Sequence, residues 1–264
     1  MPSTQPTQFT PGKTGEELLP VALQKVFATQ TVANERGEAR PLSDNVASEE
    51  AVKLYRVVKV LRPKLSAEIG FAQGISTTAI LQALADNDTG KHHVIDPNQS
   101  QQYENCGLSL VRQARLAEWM VFHENFAEEV IPSLSELQFA FIDSSHLFDL
   151  TVSEFVLLDK KLSVGGVIGF HDLWMPSLRK VLRYILSNRA YQIYRLPEEE
   201  TPRRNGLKKI KAGIAAALRR LPRGSRRCFS AELLQPWSTF GLSNLAFIQK
   251  TAHDRRAWRF HCEF

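Results

Sequence analysis

Two short stretches of this 264-residue chain set acids and imidazoles side by side: Asp143-Ser144-Ser145-His146, and His171-Asp172 directly after Phe170. Each follows a brief apolar run, residues 138–142 and 166–170, of the length and composition of a buried strand. If both strands end at one edge of a sheet, two carboxylates and two imidazoles meet there. Such a group can act on a hydroxyl in two ways. A divalent cation held by Asp143, Asp172 and His171 lowers the hydroxyl's pKa. His146, three residues beyond Asp143, is placed to accept the proton. His171, an imidazole beside Asp172, adds no negative charge and suits a borderline metal better than magnesium. Taken singly, Asp143 also reads as the cap of a helix entered through His146, and His171-Asp172 as solvated loop residues.

A second set lies upstream. The run at 66–70 leads into Glu68-Ile69-Gly70-Phe71-Ala72-Gln73-Gly74-Ile75-Ser76, where Gly70 and Gly74 allow a tight turn and close approach of backbone to a ligand. Ser76 can donate a hydrogen bond near a helix N-terminus. The next strand, 92–95, ends in Asp96, 22 positions after Gly74 and suited to two ribose hydroxyls. The third, 120–123, leads to Glu124-Asn125-Phe126, where Asn125 could bond an adenine amine and Phe126 lie on the ring. Together these residues place an adenosine across three consecutive strand ends. A dinucleotide site wants G-x-G-x-x-G; this loop reads E-x-G-x-x-x-G, which favours a different adenosine ligand.

The elements that must position these residues alternate: strands at 66–70, 92–95, 120–123, 138–142 and 166–170, with helical stretches at 75–85, 101–117, 126–134, 150–162 and 177–188. Strands at 191–194 and 245–249 follow, flanking an excursion, and read as an antiparallel hairpin on the sheet edge. The fold class is therefore α/β: a Rossmann-like, seven-stranded, mostly parallel sheet with helices on both faces and an antiparallel edge strand. A helix over 48–61, stopped before Pro63, opens the main domain. Residues 1–47 read as a leader and cap segment with a short helix at 18–31, and residues 48–264 as one domain with a basic helical insertion at about 196–240.

Composition supports a globular protein, with 43% hydrophobic and 23% charged residues. Net charge is +5, but ten basic residues and no acid fall within 201–227, leaving 23 basic against 28 acidic residues elsewhere. The charge thus describes one segment. Within it Leu207, Ile210, Ile214, Leu218 and Leu221 recur at helical spacing, a basic amphipathic helix weakened by Gly213. Its first reading is a lid whose stripe packs on the body. Attraction to an anionic substrate or a membrane surface stands next, and nucleic acid last, since no aromatics interleave the basic residues. Cys106, Cys228 and Cys262 lack metal or redox spacing and read as free thiols. No apolar run approaches the ~20 residues of a membrane span, and the start lacks a signal pattern, so a cytoplasmic protein is expected. Homo-oligomerisation stays open.

With EIGFAQGIS, VIDPN, FAFIDSSHLFD and LSVGGVIGFHD in that order, residues 48–251 resemble the class I S-adenosylmethionine-dependent methyltransferases. Within these the resemblance is to small-molecule O-methyltransferases of the macrocin and cephamycin-biosynthesis type. It implies that Glu68, Gly70, Phe71, Gly74 and Ser76 surround the methionine part of the cofactor, Asp96 the ribose, and Asn125 and Phe126 the adenine. The Asn/Asp-Pro-Pro-aromatic motif of amino-directed methyltransferases does not occur in this chain, so oxygen is the expected target. The reading is an O-methyltransferase acting on a hydroxyl of a small molecule, a sugar or secondary metabolite, with divalent-metal assistance. A nucleotide-dependent oxidoreductase and an inactive adenosine-binding protein are the alternatives. His92, His93 and His123, inside strand patterns, read as structural.

Overall fold

The computed structural model describes residues 15–43, 45–196, 244–260 and 262–264. The strands that carry the motifs are β3 (Leu65–Ile69), β4 (Lys91–Ile95), β5 (Met120–His123), β6 (Leu137–Ile142) and β7 (Leu162–Phe170). They pair in parallel, and β8 (Tyr191–Tyr194) and β9 (Ala246–Lys250) complete a seven-stranded sheet ordered β5-β4-β3-β6-β7-β9-β8. The late pair forms the expected hairpin edge. β9 runs antiparallel to both β7 and β8, and β8 is outermost. Between β3 and β6 the winding direction reverses, the point at which an open parallel sheet leaves a crevice beyond its strand ends.

Parallel strands covered on both faces need apolar side chains in both directions. In β6, Phe139 and Phe141 face one helical layer while Ala140 and Ile142 face the other, all nearly inaccessible. The first layer holds α1 (Val21–Thr29), α2 (Ser48–Leu61), α3 (Ile75–Asn87) and α4 (Cys106–Gln113); the second holds α5 (Ala127–Val130), α6 (Phe148–Lys161) and α7 (Pro176–Asn188). In α7 the stripe Leu178, Val181, Leu182 and Ile185 is buried, at the spacing of one helical face.

Local chemistry moves several boundaries. The helix expected at 101–117 spans only Cys106–Gln113, because Glu104 and Asn105 before it and Arg115 after it adopt left-handed backbone angles that no helix continues through. The stretch at 126–134 is one turn of α-helix followed by a 3-10 turn, Ile131–Ser133, with Pro132 at its start. Strands β1 (Thr31–Ala33) and β2 (Ala39–Pro41) form an antiparallel hairpin turning at Gly37, which no expectation covered. The segment before α2 is part of the body: Leu19, Leu23, Val26, Val32 and Val46 are buried in the same core as α2 and α3. The basic stripe of 207–221, with Cys228, lies outside the described residues. Among the described residues, no helix is long and apolar enough to cross a membrane.

Candidate active site

Beyond Ile69 the chain must turn at once, because β6 lies alongside. Gly70 does this at φ +94°; a Cβ there would stand 2.0 Å from the carbonyl oxygen of Asp143. Gly74, at φ +85°, enters α3 with its Cα face against Gly107, where a Cβ would come within 2.8 Å. Between them the backbone is held from below by Asp96. Its Oδ2 accepts the N–H groups of Phe71 and Ala72, each at 2.9 Å, and its Oδ1 accepts that of Asn98 at 2.8 Å. Glu68 is fully buried beneath the loop: Ser76 donates to one oxygen, Thr77 to the other, and His92 Nε2 lies 3.1 Å from the second. His92 in turn meets Ser66 through Nδ1. A carboxylate under the first turn of α3 is well matched to the helix dipole.

Above the loop lies a cavity of about 640 Å³, within the range of cofactor sites. Gly70, Phe71, Gly74 and Ser76 form its floor, and Asp143, His146, His171 and Asp172 one wall. Glu68 and Asp96 sit beneath this surface, touching the cavity only through the backbone and hydroxyls they hold. Asn125 accepts the N–H of Phe126, whose ring is 58% exposed, and neither residue lines the cavity. Sequence reasoning did not find Asn45, Val46, Gln73, Gln102, Tyr103, Trp174 or Met175, which do. Gln73 and Trp174 flank motif residues and could have been suspected; Asn45, Val46 and Tyr103 carry no signal.

On the acid–imidazole wall, His146 Nε2 stands between Asp143 Oδ1 at 3.1 Å and Asp172 Oδ2 at 3.3 Å. Both His146 and Asp172 have left-handed backbones, φ +59° and +51°, which swing their side chains back over the strand ends. Helix α6 starts at Phe148 with no side-chain cap, so Asp143 does not serve as one. His171 is nearly buried, with Nδ1 3.3 Å from Asp143 and Nε2 3.0 Å from Glu50, the residue whose carboxylate also accepts the N–H of Ala47 at the start of α2. Burial opposes a charge on His171, but its hydrogen bonds to Asp143 and Glu50 and the charges of Asp143 and Asp172 outweigh it and raise its pKa to about 10. Against burial, the hydrogen bonds from His146 and His171 and the charges of those imidazoles hold Asp143 below the usual carboxylate range. The hydrogen bond to Asp143 raises His146. Trp174 Nε1 donates to Asp172 Oδ1 at 2.9 Å.

Ligand atoms of Asp143, His146 and Asp172 all lie within 4.8 Å of one another, a spacing from which they can converge on one divalent cation. Two carboxylates and an imidazole, with the rest of the shell open, suit a borderline metal. His146 could thus join the two carboxylates as a ligand, while His171 turns Nδ1 to Asp143 and Nε2 to Glu50. A second cavity, about 620 Å³, adjoins the first through Asn45, His171 and Asp172 and is walled by Phe27, Gln30 and Glu50 from the N-terminal helices. Away from the site, His93 and His123 stack on the sheet with facing nitrogens 2.9 Å apart, and burial and each other's charge hold His93 near a pKa of about 4.

A family model for a methyltransferase domain matches residues 67–173, the interval from β3 to the loop after β7. Caffeoyl-CoA O-methyltransferase 2 of Petunia hybrida is 30% identical over 154 residues, covering 52% of this chain and 61% of that protein. Caffeoyl-CoA O-methyltransferase 1 of Nicotiana tabacum is equally similar, with 62% of its length covered. The chain spans about three fifths of the curated relatives it matches. Among solved structures, the methyltransferase PaMTH1 of Podospora anserina, with S-adenosylhomocysteine bound, superposes with a TM-score of 0.54 at 14% identity over 68% of this chain and 84% of that one. The O-methyltransferase TomG of Streptomyces achromogenes, in complex with S-adenosylmethionine, gives 0.51 at 16% identity over 66% and 81%. These likenesses support neither the oxidoreductase nor the inactive-protein alternative. The solved structures carry the fold; the macrocin-type subgroup rests on the sequence motifs alone.

Proposed function

We propose that this chain, whose residues 67–173 match a family model for a methyltransferase domain and which shares the fold of methyltransferases solved with S-adenosylmethionine or S-adenosylhomocysteine bound, transfers a methyl group from S-adenosylmethionine to a hydroxyl of a small molecule. One observation carries the reading: the glycine loop and the acid–imidazole cluster open into one cavity at the point where the sheet reverses its winding. Gly70–Ser76 would hold the cofactor, which would supply its methyl group to the cavity that Asp143 and His146 also line. The acceptor enters from the second cavity, and its hydroxyl oxygen displaces the sulfonium sulfur from the methyl carbon.

The hydroxyl's proton passes to His146 Nε2. Asp143 and Asp172, both within hydrogen-bonding reach of that nitrogen, stabilise the imidazolium that results. His171, locked by Glu50 and Asp143, keeps the Asp143 carboxylate oriented and offsets its charge. A divalent cation held by Asp143, His146 and Asp172 would supply Lewis acidity that lowers the hydroxyl's pKa; it would occupy the His146 nitrogen, so it would replace that imidazole in activating the hydroxyl, with the proton leaving to solvent water. A sugar or secondary metabolite fits the polar lining of the second cavity, and such chemistry belongs in the cytoplasm. The segment before residue 48 we read as the cap of the catalytic domain.

Calorimetry with S-adenosylhomocysteine and with NAD tests the cofactor. Saturable binding of the first and none of the second is expected, and the reverse would reject the reading. Transfer of labelled methyl from S-adenosylmethionine to a panel of hydroxylated and amino compounds then tests the oxygen target; labelling confined to amines would reject it.

A further inference from the structure

Part of the wall of the cofactor cavity comes from the strap that joins β2 to α2, whose described residues are Leu42, Ser43, Asn45, Val46 and Ala47. Asn45 and Val46 line the cofactor cavity, and Asn45 also lines the second one. From the glycine loop, the primary amide of Gln73 reaches this strap at two points. Its Oε1 accepts the N–H of Ser43 at 2.8 Å, and its Nε2 donates to the carbonyl of Pro41 at 2.9 Å. This is the pattern by which a residue of a parallel ladder bonds the residues on either side of its neighbour, executed by a side chain. Gln73 is itself 6% exposed, so its amide is held in one place, while Pro41 and Ser43 lie at the surface.

We infer that Gln73 is a positioning residue that fixes the strap as the second jaw of the cofactor site, so that the loop beneath the cofactor and the wall beside it move as one body. The inference rests on the cofactor reading above. It follows from the placement of Gln73 between Ala72, at φ +46°, and Gly74, at φ +85°. A loop forced through two left-handed positions has one productive shape, and Gln73 transmits that shape to the strap. The far end of the strap is tied independently: Ala47 N–H donates to Glu50, which holds His171. Leu42 N–H donates to Gln30 at 2.9 Å, and Val46 is buried in the core. Removing the Gln73 amide therefore frees Ser43 and the approach to Asn45, while Leu42 on one side and Val46 on the other stay anchored.

The test uses the full chain with Gln73→Met, which keeps the length and removes both hydrogen bonds, and Gln73→Glu, which keeps the acceptor for Ser43 and loses the donor to Pro41. For Gln73→Met, Kd for S-adenosylhomocysteine and KM for S-adenosylmethionine should rise about tenfold, the scale of two ordinary hydrogen bonds, while kcat at saturation stays within about threefold. Gln73→Glu should fall between wild type and Gln73→Met, and it keeps the test alive if the methionine variant fails to fold. Hydrogen exchange supplies the second readout: S-adenosylhomocysteine should slow exchange at the Ser43 amide in wild type and leave it unchanged in Gln73→Met. Equal Kd in wild type and both variants, or a fall in kcat with Kd unchanged, overturns the inference and leaves the cofactor reading standing. Absence of S-adenosylhomocysteine binding by wild type overturns the cofactor reading and this inference with it.

Discussion

Replacing Asp96 by alanine separates two roles that a sequence cannot tell apart. Were the carboxylate only a ribose ligand, the substitution would cost cofactor affinity and little else. The structure gives it three backbone N–H partners, at Phe71, Ala72 and Asn98. Hydrogen bonds to a charged group are each worth roughly 1.5 to 3 kcal/mol, and a buried donor left alone costs about 1 to 3 kcal/mol. Only the Phe71 donor is buried; the other two can turn to water. Taking the full cost for Phe71 and a few tenths for each of the others, Asp96→Ala should lower unfolding stability by about 3 kcal/mol. With a urea slope of about 3 kcal/mol/M, the upper end for small proteins, the midpoint should fall by about 1 M. Cofactor affinity should fall too, because the loop that forms the floor loses its support. Urea titration and calorimetry with S-adenosylhomocysteine on the same preparation decide. A loss of affinity with an unmoved urea midpoint would refute the scaffold argument and return Asp96 to the ligand alone.

Three other outcomes are expected. Gly70→Ala should abolish or severely lower thermal stability, since its Cβ would overlap the Asp143 carbonyl at a backbone angle alanine avoids; a melting temperature within a few degrees of wild type would contradict the geometry. Burial, aided by the charge of Glu128, raises Glu154 to about 7 despite the hydrogen bond from Ser144. A raised acid binds its proton more tightly folded than unfolded, so its contribution is full below the unfolded value of 4.5 and is lost as pH climbs to about 7. Glu154→Gln should accordingly gain stability relative to wild type between pH 5 and pH 8, measured by urea titration at both, and an unchanged difference would refute the assignment. Asp172→Asn should weaken manganese binding, followed by electron paramagnetic resonance, by at least about tenfold, and chelator should suppress wild-type turnover until a divalent cation is restored; full turnover after exhaustive chelation would leave His146 as base without a metal.

The strand ends were legible because a parallel sheet buried on both faces writes its strands as short apolar runs, and β4, β6 and β7 each deliver a polar residue where the run stops, and β3 a glycine. What the side chains do after that point was less legible. Nothing in the string VIDPN distinguishes a carboxylate aimed at a ligand from one folded back onto Phe71 and Ala72. The division of labour between His146 and His171 depends on left-handed angles at His146 and Asp172, which ordinary residue preferences do not forecast. Asn45 and Val46 reach the cavity only because the β1–β2 hairpin docks on the loop before α4, where Arg40 pairs with Glu104 across 64 positions of sequence. Contacts of that kind are set by tertiary packing, and no local pattern announces them.

On the function proposed above, the left-handed backbones of His146 and Asp172 set stability against catalysis. Each holds a non-glycine residue where an L side chain costs roughly 1 to 2 kcal/mol. Glycine at either position would relieve that strain and at the same time delete a member of the acid–imidazole cluster. Random mutagenesis scored only by heat tolerance should therefore enrich glycine at these two positions and return robust proteins with no catalytic wall. Scored by turnover, the same library should keep the strain and gather its compensating substitutions in the helical layers, where added packing leaves the cluster untouched.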